Sequence, residues 1–159
     1  MINNLVPFDE RLNVGYISEK KFSNQCIINK IPYINTKIIE GWTSELDLKI
    51  GGFIIFLFFE SLFIDVKGGA ISKKSILNFE KDYFVIYENS NEPGINGLVF
   101  KPQILRNIIK NFREKDFDKL AFSGDLGISY SRLKDKRVSK YASYSIEDFF
   151  KFISINKKL

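Results

Sequence analysis

The longest unbroken run of apolar residues in the chain is residues 53–59, which contains only Phe, Ile and Leu. Residues 46–50, just before it, alternate between apolar and polar side chains with a period of two, as in a half-exposed strand. Gly51 and Gly52 separate the two stretches, and glycine accepts the positive φ that two-residue hairpin turns require. The pattern predicts a hairpin whose second strand, 53–59, is buried in the core. A helix that spans a membrane needs about 20 apolar residues, far more than the run 53–59 offers, so no membrane is predicted as a partner.

Two more strands and two helices follow from the pattern further along the chain. Residues 82–88 and 95–100 predict strands, and residues 89–94 between them are typical of a turn. Pro102 suits the first turn of an amphipathic helix near 102–115, whose apolar positions are Ile104, Leu105, Ile108, Ile109 and Phe112. A C-terminal helix near 145–154 is predicted from Ser145 as its cap, Asp148 in its first turn, and an apolar stripe of Ile146, Phe149, Phe150 and Ile153.

Shorter strands are predicted at 128–133 and 138–144, on either side of a polar turn at 134–137. Strand pieces are also indicated at 26–28 and 37–39, interrupted at Pro32. The chain shows no repeat and no linker, and about 160 residues suffice for one sizeable core. We therefore expect a single α+β domain over 1–159, with a mainly antiparallel sheet.

Histidine is absent and Cys26 is the only cysteine among the 159 residues. This removes the commonest general base, the usual zinc ligands and the serine and cysteine triads. Cys26 lies among apolar residues with no base nearby, which favours an inert buried thiol, and it cannot form an internal disulfide. With no signal-peptide pattern, we expect a cytoplasmic protein that is not an enzyme and needs no cofactor.

Positive charge is concentrated in residues 101–140, which hold eleven Lys and Arg against five Asp and Glu, while the whole chain has a net charge of +5. These cations are interleaved with tyrosines, a mixture that suits either a partner protein or nucleic acid, with phosphate contacts and base stacking. A solvated surface without a partner is the third interpretation. The candidate partner-binding residues are Arg106, Lys110, Arg113, Arg132, Lys134, Lys136, Arg137, Lys140, Tyr130, Tyr141 and Tyr144.

Carboxylates cluster earlier in the chain and define an alternative, acidic binding lobe for a basic partner. No motif places them together as a catalytic or metal-binding set. The residues of this lobe are Glu40, Glu45, Asp47, Glu60 and Asp65.

In general character the chain resembles the immunity proteins of bacterial toxin systems, including those of contact-dependent growth inhibition. It is short, rich in Ile, Phe, Asn and Lys, and has the sequence YSIEDFFKFI at 144–153, near its C-terminal end. The resemblance implies a cytoplasmic toxin inhibitor that forms a heterodimer with one cognate toxin. Immunity proteins against nucleases are often acidic, whereas this chain is basic, which leaves the class of toxin open. The alternative is a nucleic-acid-binding protein that uses the basic 101–140 patch.

Overall fold

Two β-sheets organise the part of the chain described by the structure, a computed structural model that covers residues 8–36, 52–78, 80–88, 93–120 and 124–158. In spatial order, the six strands of the larger sheet are β1 (Tyr33–Asn35), β2 (Phe53–Phe56), β3 (Ser61–Gly68), β5 (Tyr83–Tyr87), β6 (Gly97–Phe100) and β9 (Tyr144–Ser145). The three strands of the smaller sheet are β4 (Ala70–Ser72), β8 (Leu126–Ser129) and β7 (Asp118–Lys119).

Six α-helices lie within the described residues: α1 (Phe8–Ile28), α2 (Lys73–Asn78), α3 (Pro102–Lys110), α4 (Tyr130–Leu133), α5 (Lys136–Ser139) and α6 (Ile146–Asn156). A 3-10 turn at Glu114–Asp116 follows α3. Strands β3 and β5 pair in parallel, and all other strand pairs in both sheets are antiparallel. The predicted α+β class with a mainly antiparallel sheet is confirmed.

Strand β5 separates two apolar cores because successive side chains of a strand point to opposite faces of the sheet. Val85 and Tyr87 belong to the first core, which also contains residues of α1 and α6. Phe84 and Ile86 belong to the second core, which contains residues of α2, α3, α4 and α5. The second core places the helices that form the surface described in the next section.

The strand predicted at 53–59 is confirmed only for its first four residues, which form β2 and are alternately buried and half-buried. Phe53 and Ile55 are fully buried in β2, and Leu57 is buried at an isolated bridge to Lys157. The prediction that 53–59 lies entirely in the core is wrong, because the chain turns after Leu57 to form β3 and leaves Phe58 and Phe59 exposed. The predicted partner strand at 46–50 and the piece at 37–39 lie outside the described residues. Gly52 does have a positive φ of 110°.

The strands predicted at 82–88 and 95–100 are confirmed as β5 and β6, which pair antiparallel. The helix predicted near 102–115 is confirmed but ends at Lys110, where Asn111 closes it with backbone bonds to Ile108 and Ile109. The helix predicted near 145–154 is confirmed as α6. Its cap is Ser145, as predicted, whose Oγ accepts a hydrogen bond from the Asp148 amide at 3.1 Å.

One predicted strand, at 26–28, is wrong. Two others are right only at one end, since Ile128 and Ser129 lie in β8 and Tyr144 lies in β9. Residues 26–28 are the last residues of α1, in which Phe22 and Cys26 are one turn apart and fully buried. Residues 130–133 form α4, because the chain leaves β8 as the Tyr130 amide bonds to the Gly69 carbonyl at 2.8 Å. In the predicted strand at 138–144, Val138 and Ser139 are in α5, which starts after the cap residue Asp135, and β9 has only two residues.

Candidate binding cleft

A cleft of about 410 Å³ lies where the end of α3, the 3-10 turn and helices α4 and α5 meet. We call it the arginine cleft, because three arginines line it together with two aspartates and two aromatic residues. Its lining residues are Ile108, Asn111, Phe112, Arg113, Asp116, Arg132, Asp135, Arg137, Val138 and Tyr141.

The chain positions Arg113 through the turn that follows α3. Asp116 Oδ2 accepts a hydrogen bond of 2.7 Å from the Arg113 amide, which closes the turn and starts the 3-10 segment. Phe112 is half-buried and contacts Phe117 edge-to-face, with ring centroids 5.4 Å apart. Since Phe117 belongs to the second core, this contact fixes the turn that carries Arg113 against the rest of the fold.

Asp118 holds Arg132 in place from β7. Arg132 Nε lies 3.0 Å from both carboxylate oxygens of Asp118, and the Ser129 amide donates to Oδ2 at 3.0 Å. Burial by itself would raise the pKa of Asp118, but the hydrogen bonds from Ser129 and Arg132 outweigh it and lower the pKa below its usual range. The ionised carboxylate therefore fixes the direction of the Arg132 guanidinium.

Asp135 holds Arg137 in a similar way at the start of α5. Arg137 Nε and Nη2 donate to the two oxygens of Asp135 at 3.1 and 3.2 Å, and its amide donates at 2.9 Å. The hydrogen bonds from Arg137 lower the pKa of Asp135, which stays ionised as the cap of the helix. The Arg137 side chain is 88% exposed, so most of its guanidinium faces solvent.

Tyr141 provides an exposed aromatic surface beside these arginines. It is 51% exposed, and the ammonium of Lys140 lies 5.0 Å from its ring centroid. The cleft thus offers positively charged planar groups and an aromatic ring within one concave site.

Of the eleven predicted basic-patch residues, the cleft brings together Arg113, Arg132, Arg137 and Tyr141. Lys110, Lys136 and Lys140 are exposed on the adjoining elements α3 and α5 or directly after them. Lys134 lies 3.6 Å from the carboxylate of Glu88. Arg106 points elsewhere, because its Nε donates to the Ile76 carbonyl of α2 at 2.9 Å.

The other two predicted tyrosines do not reach the cleft. Tyr130 is buried in the second core. Desolvation, and to a smaller extent the nearby charge of Glu88, raise the pKa of its hydroxyl. Tyr144 packs against the first core and stacks on Phe152, with centroids 5.3 Å apart. The three tyrosines therefore do not form one stacking surface.

The structure does not gather the predicted acidic lobe into one described surface. Asp65 is buried in β3, with Oδ2 3.3 Å from Lys67 Nζ. Glu60 is exposed and lines another cleft together with Lys81, Asp82 and Lys101. Glu40, Glu45 and Asp47 lie outside the described residues.

The sequence analysis missed Phe112, Asp116, Asp118 and Asp135 as parts of the site. Asp135 carries a local signal, since an aspartate directly before a short helical turn is a typical cap. Asp118 carries none, because its partner Arg132 lies fourteen positions later in the sequence. Within the described ranges, no group of three or more His, Cys, Asp or Glu is arranged to hold a metal ion.

None of the helices in the described part of the chain combines the length and apolar character needed to cross a bilayer. In comparisons with known proteins, no family model, no curated protein and no solved structure matches this chain.

Proposed function

We propose that this protein is an immunity protein, a protein-binding module that neutralises a cognate bacterial toxin in the cytoplasm by forming a heterodimer with it. The observation that carries the proposal is the convergence of Arg113, Arg132 and Arg137 on one cleft beside the exposed Tyr141. Arginine and tyrosine are enriched among the residues that dominate binding energy at protein interfaces.

The cleft suits an acidic segment of a partner. Two of its arginines are oriented by aspartates before a partner arrives, so binding costs them less side-chain entropy. The exposed lysines Lys110, Lys136 and Lys140 surround the same region and add to its positive potential. Such a field accelerates the approach of an acidic protein and discriminates against basic ones.

The position of the tyrosines favours a protein over nucleic acid. Binding of single-stranded nucleic acid relies on successive aromatic platforms along a basic groove. Only one of the three predicted platforms, Tyr141, lies at the arginine cleft, because Tyr130 is buried and Tyr144 packs on the first core.

The first test is co-expression of this chain with the product of the gene immediately upstream, scored by growth and by co-purification on a tag. We expect the neighbour to be toxic alone, and this chain to restore growth and form a stable one-to-one complex. A harmless neighbour that does not co-purify would contradict the proposal.

The second test assigns the interface to the cleft. Arg113→Glu with Arg137→Glu changes the charge of the cleft but leaves the Arg132–Asp118 pair intact. Lys74→Glu with Lys151→Glu is the matched control, since both lysines are exposed, make the same charge change and do not line the cleft. We expect the cleft variant to slow association with the toxin by about tenfold or more, and the control to change it little.

Equal association rates for the two double variants would exclude the cleft as the interface. Nucleic-acid binding is measured on the same proteins. Tight binding that weakens steeply with salt and is lost in the cleft variant would instead establish the nucleic-acid alternative.

A further inference from the structure

A second surface, which shares no residue with the arginine cleft, exposes large apolar side chains at one end of the first core. Phe58 and Phe59 are 81% and 66% exposed at the turn between β2 and β3. Ile28 at the end of α1 and Ile155 near the end of α6 are 69% and 83% exposed. We call these four residues the apolar end.

Backbone and side-chain contacts bring the three segments together. The Phe58 amide donates to the Asn156 carbonyl at 2.7 Å, which joins the turn to the end of α6. Lys157 Nζ donates to the Asn29 carbonyl at 2.7 Å, which joins the end of α6 to the end of α1. The exposed apolar residues therefore lie on three adjacent segments and are not scattered singly over the protein.

Among the described residues, these four side chains are largely exposed and contribute little to either core. Phe58 and Phe59 occupy a reversal of the chain, where polar and small residues are the usual choice. Clustered exposed apolar side chains reduce solubility and mark a site that is covered in use.

Cations surround the apolar end. Lys30 lies two residues after the end of α1, and Lys157 and Lys158 are the first two residues after α6. Glu60 is the acidic residue next to the turn, and it lines a cleft in which two carboxylates, Glu60 and Asp82, are matched by Lys81 and Lys101. The charge around the exposed apolar residues in the described part of the chain is therefore positive and complements an anionic partner.

We propose that the apolar end binds the surface of an anionic lipid bilayer. Its aromatic residues stand at the tip of a turn instead of lining a groove, so they can enter the boundary between headgroups and acyl chains. The three lysines then lie level with the lipid phosphates. This contact is peripheral and departs from the prediction of no membrane partner, which rested only on the length that a membrane-spanning helix requires. It stands independently of the proposed toxin-binding role.

Sedimentation of the full-length protein with vesicles tests the proposal. The vesicles are phosphatidylcholine alone, or phosphatidylcholine with about 30% phosphatidylglycerol, at about 0.1 M salt. We expect binding to the anionic vesicles to exceed binding to neutral ones by about tenfold or more. Equal binding to both, or binding to neither, would overturn the proposal.

Two pairs of variants separate the apolar and electrostatic parts. Phe58→Ser with Phe59→Ser is expected to reduce binding at least tenfold, whereas Leu77→Ser, also at an exposed apolar residue, is expected to retain it. Lys30→Gln with Lys158→Gln is expected to reduce binding by about tenfold or more, because each lysine near an anionic surface contributes about fivefold. Lys74→Gln with Lys115→Gln is its control, since both lysines are exposed and lie on α2 and the 3-10 turn.

Circular dichroism and thermal unfolding establish that each variant is folded before vesicles are added. Undiminished vesicle binding by the Phe58 and Phe59 variant would overturn the proposal. Self-association that this variant abolishes, without vesicle binding by the unchanged protein, would assign the apolar end to a contact between copies and would also overturn it.

Discussion

Burial decides the chemistry of the single cysteine. Cys26 is fully buried in α1, and desolvation raises the pKa of its thiol to about 12, so the reactive thiolate is scarce at neutral pH. We expect Ellman's reagent at pH 8 to label the folded protein very slowly and to label it fully in guanidinium chloride. Rapid labelling without denaturant would show that the end of α1 opens readily.

The carboxylate of Asp118 affects both the stability of the fold and the position of Arg132 in the arginine cleft. Its lowered pKa means that the folded state favours the ionised form, so its stabilisation is present above the usual aspartate pKa and is lost as pH falls through the lowered value. We expect Asp118→Asn to reduce the free energy of unfolding by about 1–2 kcal/mol at pH 7. This is less than a fully buried charged hydrogen bond would contribute, because the site is partly solvated.

Urea unfolding of both proteins at several pH values between 7 and 2 tests this expectation. The difference between Asp118→Asn and the unchanged protein should narrow as the carboxylate becomes protonated at the acid end. Glu80→Gln, at an exposed carboxylate, serves as the control and should show little difference at any pH. A pH-independent difference would mean that the amide fails to pack and that the ion pair is not the cause.

Among the elements, those with local signals were predictable from the sequence. Helix α6 combines a cap and an apolar stripe within a few residues, and β5 and β6 flank a turn-rich segment, so neighbouring residues specify both features. The parallel pairing of β3 with β5 has no such signal, because it depends on the path of the intervening β4 and α2.

The wrong predictions have the same physical origin. The apolar residues Ile27 and Ile28 suggested a strand. They lie on the exposed side of α1, whereas Cys26, on the opposite side, faces the core. Tyr130 suggested a strand residue, yet a bond to Gly69, sixty-one residues earlier in the sequence, helps to redirect the chain into α4. Contacts distant in sequence overrode local propensity in both segments.

The candidate site shows which features of a binding surface a charge pattern in the sequence can predict. Three of the cations predicted as binding residues in 101–140, Arg113, Arg132 and Arg137, line one cleft, because they lie on elements that follow one another around the second core. The pattern could not distinguish Tyr141 from Tyr144, which are three residues apart. Tyr141 is exposed in the turn after α5, and Tyr144 lies in the edge strand β9.

Helix α6 provides a direct test of local capping. Replacing the cap in Ser145→Ala removes the acceptor for the Asp148 amide, and we expect the free energy of unfolding to fall by about 1 kcal/mol. Ser145→Asp keeps an acceptor in the same place and should retain most of that stability. Equal losses in the two variants, measured by urea unfolding, would show that Ser145 acts mainly through its pairing in β9.

For the whole molecule, the two cores depend on each other through a shared strand. Four of the five residues of β5 are buried, with Val85 and Tyr87 facing one core and Phe84 and Ile86 facing the other. Disrupting either core exposes one face of this strand and removes support for the hydrogen bonds that join it to β3 and β6. We therefore expect the described parts of the chain to unfold together, in line with the single domain predicted from the sequence.

Matched substitutions in the two cores test this coupling. Ile153 in α6 and Leu105 in α3 are both fully buried, one in each core, and replacement of either by alanine should cost about 2–5 kcal/mol. If the cores are coupled, each variant unfolds in one transition that far-ultraviolet and near-ultraviolet circular dichroism report at the same urea concentration. Ile155→Ala, at an exposed position, should leave the midpoint nearly unchanged. Two separate transitions in either core variant would mean that destabilising one core does not destabilise the other through β5. The chain would then contain two folding units.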